Sequence, residues 1–208
     1  MRIIMIGPPG SGKGTQAAFM RKRLNVPSVS TGNILRAEIA AGSEVGKKAG
    51  EFVSKGELVP DDIILKIVER RLSQPDCENG FILDGFPRTA AQAEALERGG
   101  VKIDFVVMMN VSDEEIIRRM AGRRVCGDCG GSFHITDRPP EKEGVCDTCG
   151  GGLFIRDDDA PETVKRRLDT YRKNTAPLLD YYKDILKTVE NRGSIDKNAE
   201  AVAKALGV

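Results

Sequence analysis

The first 24 residues place a glycine-rich loop between a short apolar segment and a helical pattern. Residues 2–6 form an apolar run, residues 7–15 read GPPGSGKGT, and residues 13–24 carry apolar side chains at helical spacing. Glycines let a backbone wrap closely around an anion, and the first amides of a helix supply donors and partial positive charge. The order strand, loop, helix therefore predicts an α/β fold with a phosphate site beside the first strand.

The loop fits the pattern GxxxxGK, in which Lys13 is a mobile cation for the outer phosphates of a nucleotide. The general motif has Ser or Thr directly after the lysine, whereas this chain has Gly14 there and Thr15 one place later. A glycine-rich turn without a ligand is the alternative. The flanking strand and helix favour the phosphate loop.

The rest of the chain alternates apolar runs with helical patterns, as in an α/β fold with buried parallel strands. Helices are predicted over residues 31–41, 61–72 and 89–97, and strands over residues 80–84 and 104–110. Ser112 and Glu115 match a capping box, which predicts a helix to about Ala121. The last part reads as a long helix over 161–182 bent at Pro177, a short strand near Ser194 and Ile195, and a helix from Ala199.

Residues 122–159 break this alternation and are predicted to be a small inserted domain. They are rich in glycine and carry two CxxC pairs, Cys126 with Cys129 and Cys146 with Cys149, sixteen residues apart. Four thiolates at this spacing can close a tetrahedral shell around zinc, which predicts a structural rather than a catalytic metal. Two disulfides or four unrelated thiols are the alternatives. We assign no role to Cys77, and His134 is not expected to be a ligand.

Charge and hydropathy exclude several classes of protein. The chain has 32 Lys and Arg against 31 Asp and Glu, for a net charge of +1, so a nucleic-acid coat or polybasic anchor is not indicated. Residues 122–159 hold five basic and eight acidic side chains, a poor match for a polyanion. No apolar run approaches the roughly 18 residues of a membrane span, and no secretory signal is recognisable. We expect a cytoplasmic protein.

Asp84 and a set of arginines are the remaining candidates for chemistry. Asp84 ends an apolar strand, so it is expected at the carboxyl edge of the sheet, where it could hold magnesium directly or through water. A simple turn residue is the alternative. Six arginines are expected around the same edge, although a solvated surface position is the alternative for any single one: Arg36, Arg88, Arg119, Arg123, Arg156 and Arg167. Such a cluster suits phosphoryl transfer between two phosphate chains, which needs no general base when the acceptor is itself a phosphate.

Together these motifs resemble the adenylate kinases of the long-lid, zinc-containing bacterial type. The resemblance covers nearly the whole chain and rests on GPPGSGKGT (7–15), STGNILR (30–36), GELVPDD (56–62), FILDGFPRT (81–89), GRR (122–124), RDDD (156–159) and VKRRL (164–168). It implies a P-loop, doubly wound parallel sheet of five strands with two mobile inserts. The implied core is residues 1–29, 60–121 and 160–208, the monophosphate-binding flap is residues 30–59, and the zinc-binding lid is residues 122–159.

The resemblance also implies a reaction and a set of site residues. The reaction is reversible phosphoryl transfer from MgATP to AMP, giving two ADP, by a monomer without nucleic-acid or membrane partners. The implied ATP site is Gly10, Ser11, Gly12, Lys13, Gly14, Thr15, Arg119, Arg123, Ser132, Phe133 and, by a loose alignment, Ala199. The implied AMP site is Thr31, Arg36, Glu57, Leu58, Val59, Gly85, Phe86, Pro87, Arg88, Gln92, Arg156 and Arg167. Catalytic roles fall to Lys13, Asp84, Arg88, Arg123, Arg156 and Arg167, with Asp84 orienting Mg²⁺ through water and Zn²⁺ structural in the lid.

Two positions depart from the family pattern, and three other functions stay open. Asn33 stands where the family more often has Asp, and Phe133 where Tyr is common. A kinase for UMP, CMP or GMP would share nearly every motif, although Thr89 and Gln92 resemble the adenine-selective pattern. A P-loop nucleic-acid-binding protein with a zinc knuckle is opposed by the acidic lid. A nucleotide sensor without catalysis would leave the arginines idle.

Overall fold

The computed structural model describes all 208 residues and contains two separate sheets. The strands are β1 (Arg2–Ile6), β2 (Ser28–Ser30), β3 (Phe81–Asp84), β4 (Phe105–Asn110), β5 (Arg123–Cys126), β6 (Ser132–His134), β7 (Leu153–Phe154) and β8 (Leu186–Glu190). The main sheet is parallel throughout, in the order β2-β3-β1-β4-β8. The predicted five-stranded α/β fold is confirmed.

Nine α-helices connect or flank these strands. They are α1 (Lys13–Leu24), α2 (Thr31–Ala40), α3 (Glu44–Lys55), α4 (Asp61–Leu72), α5 (Ala90–Arg98), α6 (Asp113–Gly122), α7 (Pro161–Thr170), α8 (Leu178–Tyr181) and α9 (Ile195–Leu206). The Ser112 hydroxyl accepts a hydrogen bond from the Glu115 amide at 3.4 Å, so α6 begins where the capping pattern predicts. None of the helices is both long and apolar enough to cross a membrane.

Strand β1 is apolar from Ile3 to Ile6 because both faces of the main sheet are covered. Ile4 and Ile6 belong to a cluster of 18 buried residues, and Ile3 and Met5 belong to another cluster of 12. Successive side chains of a strand point to opposite faces, so a strand buried on both sides needs apolar residues at every position. The short run at the amino end of the chain is therefore the centre of the fold.

The carboxyl-terminal third differs from the sequence prediction in two places. The long helix predicted over 161–182 is interrupted by a π-helical turn at Tyr171–Thr175, before Pro177, whose ring nitrogen cannot donate to the preceding turn. The strand predicted near Ser194 and Ile195 is wrong. The last strand is β8, and Ser194 instead caps α9 by accepting from the Lys197 amide at 3.3 Å. The helix thus begins four residues before Ala199.

The predicted inserted domain forms a small antiparallel sheet of its own, in the order β6-β5-β7. Its buried cluster consists of only Cys126, Phe133 and Cys146, with Leu153 packed against them. A unit with so small an apolar core needs another source of stability.

Candidate active site

The glycine-rich loop folds into a tight turn that only glycine can complete at two positions. Gly10 and Gly12 have φ values of 75° and 86°, in the left-handed region. A Cβ on Gly12 would lie 2.6 Å from Nδ2 of Asn191, and one on Gly10 would lie 2.9 Å from Sδ of Met120. Helix α1 begins directly after Gly12, so the turn delivers Lys13 to the first position of the helix.

Lys13 curls back over the loop. Its Nζ donates to the carbonyl oxygens of Gly7 and Pro8, both at 2.7 Å, and to the Ser11 hydroxyl at 3.3 Å. Burial lowers the pKa of Lys13 to about 7; Asp84 opposes this, while Arg88, Arg167 and Arg123 lower the pKa further. A bound polyphosphate would favour the charged form of Lys13 and so raise its pKa.

Asp84 lies at the carboxyl end of β3, as predicted, and faces the start of α1. One oxygen of its carboxylate, Oδ2, is 3.3 Å from the position of a Cβ on Gly14. A Ser or Thr directly after Lys13 would crowd that carboxylate. Gly14 therefore leaves the carboxylate of Asp84 room that any larger residue at this position would reduce.

Three of the predicted arginines pair with two neighbouring acids. Nε of Arg123 donates to Asp159 at 2.7 Å, and Nε of Arg156 donates to Asp158 at 2.7 Å. Arg167 contacts both acids, at 3.1 Å to Asp158 and 3.3 Å to Asp159. Burial acts to raise the pKa of Asp158, but pairing with Arg167 and Arg156 outweighs burial and lowers this pKa to about 2. Neither acid is among the predicted site residues, although both lie in the RDDD motif (156–159).

Two more arginines extend this cluster toward the flap. Burial lowers the pKa of Arg36 to about 9, with Arg156 adding to the effect and Asp158 opposing it. Burial also lowers the pKa of Arg88, whose Nε donates to the Gly85 carbonyl at 2.8 Å. Cations crowded together and removed from water are stabilised by an anion placed among them. The arrangement therefore suits a phosphate ligand.

A pocket beside these arginines gathers most of the predicted AMP residues. Its lining includes Thr31, Arg36, Glu57, Leu58, Val59, Gly85, Arg88, Gln92, Arg156 and Arg167, together with the unpredicted Leu35, Val53, Ile64 and Asp158. Phe86, in contrast, is 1 % exposed and packs in the main core; neither it nor Pro87 is part of the lining. Apolar side chains and arginines in one pocket suit a ligand with both a flat base and a phosphate.

The other side of the loop contacts Arg119 and Asn191. Arg119 donates to Glu115 at 2.7 Å and to the Asn191 carbonyl at 3.2 Å, and the buried Asn191 amide donates to the Ser11 carbonyl. Ala199, in contrast, lies 6 % exposed in the second turn of α9. Its amide belongs to the helix interior, which argues against the expected main-chain contact to a base.

In the lid, the four cysteines predicted as metal ligands come together. Their Sγ atoms all lie within 4.8 Å of one another, and two pairs are 3.4 and 3.6 Å apart. A tetrahedron with Zn–S bonds of about 2.3 Å has sulfur atoms about 3.8 Å apart, so this donor set fits zinc. The amides of Cys126 and Cys146 donate, each at 2.8 Å, to the carbonyls of Gly131 and Gly151, which makes the two knuckles equivalent.

The ring of Phe133 packs against this cysteine cluster and is 3 % exposed. The guanidinium of Arg138 lies over it, 5.0 Å from the ring centre. Any contact from this position to a bound base would therefore come from the main chain. Gly130 of the lid also lies against Asn33 of the flap, because a Cβ on Gly130 would be 3.2 Å from Nδ2 of Asn33. The two predicted inserts therefore come close together at Gly130 and Asn33.

Comparison with known proteins identifies the family to which this chain belongs. Residues 5–187 match a family model described as adenylate kinase. The chain belongs to the adenylate kinase family. It is 53 % identical to an adenylate kinase of Caldicellulosiruptor bescii, with all of both chains covered. It is 50 % identical to an adenylate kinase of Acetivibrio thermocellus, over 99 % of this chain and 98 % of that protein. It is 48 % identical to an adenylate kinase of Archaeoglobus fulgidus, over 99 % of each chain. The adenylate kinase resemblance drawn from the motifs is confirmed.

Proposed function

We propose that this adenylate kinase transfers the γ-phosphoryl group of MgATP directly to AMP in the cleft between the P-loop and the arginine cluster. One observation carries the proposal. Arg88 and Arg167 line the pocket suited to AMP, and both also act on the pKa of Lys13 in the P-loop. Two phosphate chains bound at these places would meet end to end within one group of cations.

In this proposal the site residues bind and orient the two nucleotides, and no residue acts as a general base. The loop from Gly10 to Thr15 would hold the phosphates of ATP with Lys13, and Arg119 would support them from the side. Arg36, Arg88 and Arg156 would hold the phosphate of AMP, whose oxygen is already anionic. Arg123 and Arg167 would contact the group in transfer, since guanidinium groups stabilise the charge spread over its oxygens.

Asp84 is the residue we assign to the magnesium ion of MgATP. When bound, that ion neutralises charge on the β- and γ-phosphates. The support is the chemistry and place of the carboxylate, at the carboxyl edge of the sheet beside Gly14. Asp84 would also keep Lys13 charged in the occupied site, because its carboxylate acts to raise the pKa of Lys13.

Closure of the flap (30–59) and the lid (122–159) over the core is the second part of the proposal. It would exclude water that could otherwise accept the phosphoryl group. Its support is the approach of Gly130 to Asn33 and the bonds from Arg167 in α7 to Asp158 and Asp159. We further propose that the enzyme acts as a monomer, on free nucleotides, as the family resemblance implies. A cytoplasmic location stays a prediction.

For the four cysteines we propose a structural zinc. The thiolates would fill all four positions of its shell, so the metal would hold the lid together and take no part in transfer.

The direct test is to follow ADP formation from MgATP with AMP, UMP, CMP and GMP offered separately. AMP is expected to give by far the highest kcat/KM. Comparable values with UMP, CMP or GMP would favour the wider class of nucleoside monophosphate kinases. If no monophosphate yields ADP with metal-replete enzyme, phosphoryl transfer is not the function.

Binding of MgATP is expected to take up close to one proton per site at pH 8. Lys13, with a pKa of about 7, is mostly neutral at that pH, and bound phosphates return it to its charged form. The affinity for MgATP should accordingly fall as pH rises above about 7. Calorimetry in buffers of different ionisation enthalpy measures the uptake.

The control for this measurement is a second lysine on the same helix. Lys13→Met should abolish the proton uptake, whereas Lys22→Met, at an exposed position of α1, should leave it unchanged. Binding enthalpies that do not depend on the buffer at pH 8 would contradict the expected state of Lys13.

A further inference from the structure

The side chain of Gln92 in the AMP pocket is held at both ends. Gln92 is 2 % exposed, and its Oε1 accepts from the Arg88 amide at 2.7 Å. Its Nε2 donates to Oδ1 of Asp61 at 2.6 Å. A backbone N–H can only donate and a carboxylate can only accept, so the oxygen and nitrogen of this amide cannot be exchanged.

Helix capping alone does not account for this arrangement. Thr89 and Gln92 match a capping pattern, and the backbone N–H of Gln92 donates to the Thr89 hydroxyl at 3.2 Å. Capping, however, leaves the side-chain nitrogen of the glutamine free. Here Asp61, which belongs to α4 and lies 31 residues earlier, holds that nitrogen with Oδ1 and accepts from the Thr89 hydroxyl with Oδ2 at 3.2 Å.

A fixed amide can distinguish two kinds of purine. After these bonds, Gln92 retains one N–H and one lone pair of Oε1 for a ligand. Adenine offers an amino donor at position 6 and an acceptor at N1, and purines with an oxygen at position 6 offer the reverse. An amide free to turn over could match either pattern, whereas an amide held in one orientation matches only one.

We propose that Asp61 is a positioning residue that fixes the amide of Gln92 and thereby sets the preference for AMP over 6-oxopurine monophosphates. This inference rests on the proposed function, because it takes the pocket that contains Gln92 to be the AMP site. Asp61 acts through Gln92 and need not touch the nucleotide itself. The neighbouring Asp62 is exposed and offers the matched control at the same helix start.

The test compares AMP with its 6-oxo analogue, inosine monophosphate, in kcat/KM and in calorimetric Kd. Asp61→Ala should reduce the preference for AMP about tenfold or more, because a hydrogen bond to a charged group is lost. Asp61→Asn should keep most of the preference, since its Oδ1 can still accept from Gln92. Asp62→Ala should match the wild type, and the KM for ATP should stay unchanged in all three variants.

A double variant tests whether the effect passes through Gln92. On a Gln92→Ala background, Asp61→Ala should change the preference no further. If Asp61→Ala is unstable, Asp61→Ser replaces it in both tests. Serine keeps a small polar group at the start of the helix but is too short to reach Nε2 of Gln92.

Several results would overturn the inference. One is an unchanged preference for AMP in Asp61→Ala. Another is a loss of this preference in Asp61→Asn or in Asp62→Ala that equals the loss in Asp61→Ala. A third is a lower preference for AMP in the double variant than in Gln92→Ala alone. Wild-type enzyme that forms no ADP from AMP would instead refute the proposed function, so the two failures are distinguishable.

Discussion

Replacing Arg167 with alanine is expected to lower kcat about a thousandfold. Arg167 comes from α7, lines the AMP pocket and contributes to the low pKa of Lys13, so it lies between the places proposed for the two phosphate chains. A guanidinium at this position would stabilise charge that is spread over the transferring group. Alanine would remove one of the two guanidinium groups proposed to stabilise that charge, in a cleft from which water is proposed to be excluded.

The fold should survive this substitution. Without Arg167, Asp158 still pairs with Arg156 and Asp159 still pairs with Arg123, so neither buried carboxylate loses its last partner. The melting temperature should therefore fall by no more than a few degrees. Steady-state kinetics and thermal unfolding of the same preparation separate the two effects.

Lys165→Ala is the matched control for Arg167→Ala. Lys165 lies on the same helix and is exposed, so its removal should leave kcat near that of the wild type. If Arg167→Ala retains kcat within about tenfold, a loss of only about 1.4 kcal/mol in the barrier, Arg167 does not act on the transition state.

The parts of the site that are local in sequence could be predicted from the sequence. The P-loop is one continuous segment, and each cysteine pair lies within four residues, so spacing alone indicates how their atoms can converge. Asp84 was predictable for a related reason: it ends an apolar run, and the carboxyl ends of parallel strands meet at one edge of the sheet.

Residues that act across the fold could not be found in this way. Asn191 bonds to a loop 180 residues earlier, and Asp61 bonds to Gln92 on another helix. Neither contact leaves a periodic signal, because each depends on how distant elements pack. Asp158 and Asp159 belong to the RDDD motif, but their roles are not readable from the sequence, since pairing with three arginines is a property of the folded cleft.

Misassigned elements have a similar cause. Strand β8 is at the edge of the main sheet, and Lys187, Thr188 and Glu190 are exposed along it, so the strand lacks the apolar run that marks β1. The predicted strand then fell on Ser194 and Ile195, which begin α9. The helix predicted from Ala199 accordingly begins four residues earlier, at Ile195.

Removal of zinc is expected to unfold the lid while the main sheet persists. The buried cluster of the lid has three members, two of which are proposed ligands, whereas the main sheet packs between clusters of 18 and 12 residues. Structural zinc contributes about 10–16 kcal/mol in small zinc-binding peptides, far more than so few apolar contacts. Without the metal, the lid has too little buried surface to offset the entropy of ordering it.

The activity should be lost together with the lid. Arg123 and Arg156 lie at the two ends of the lid, and both pair with the acids that position the arginine cluster. Metal-free protein is thus expected to melt at a lower temperature, to become sensitive to proteolysis within residues 122–159 and to lose turnover. Metal analysis, calorimetry and limited proteolysis of chelated and zinc-reloaded protein measure these changes, and reloading should reverse them.

Single cysteine variants separate the metal from the thiols. Cys129→Ser should bind zinc weakly and reproduce the effects of chelation, because three thiolates and a hydroxyl make a poorer shell for zinc than four thiolates. Cys77→Ser removes a buried thiol outside the cluster and should retain one zinc per chain and a protected lid. An unchanged melting temperature and proteolysis pattern after verified metal loss would contradict this prediction. The lid would then be stable without zinc.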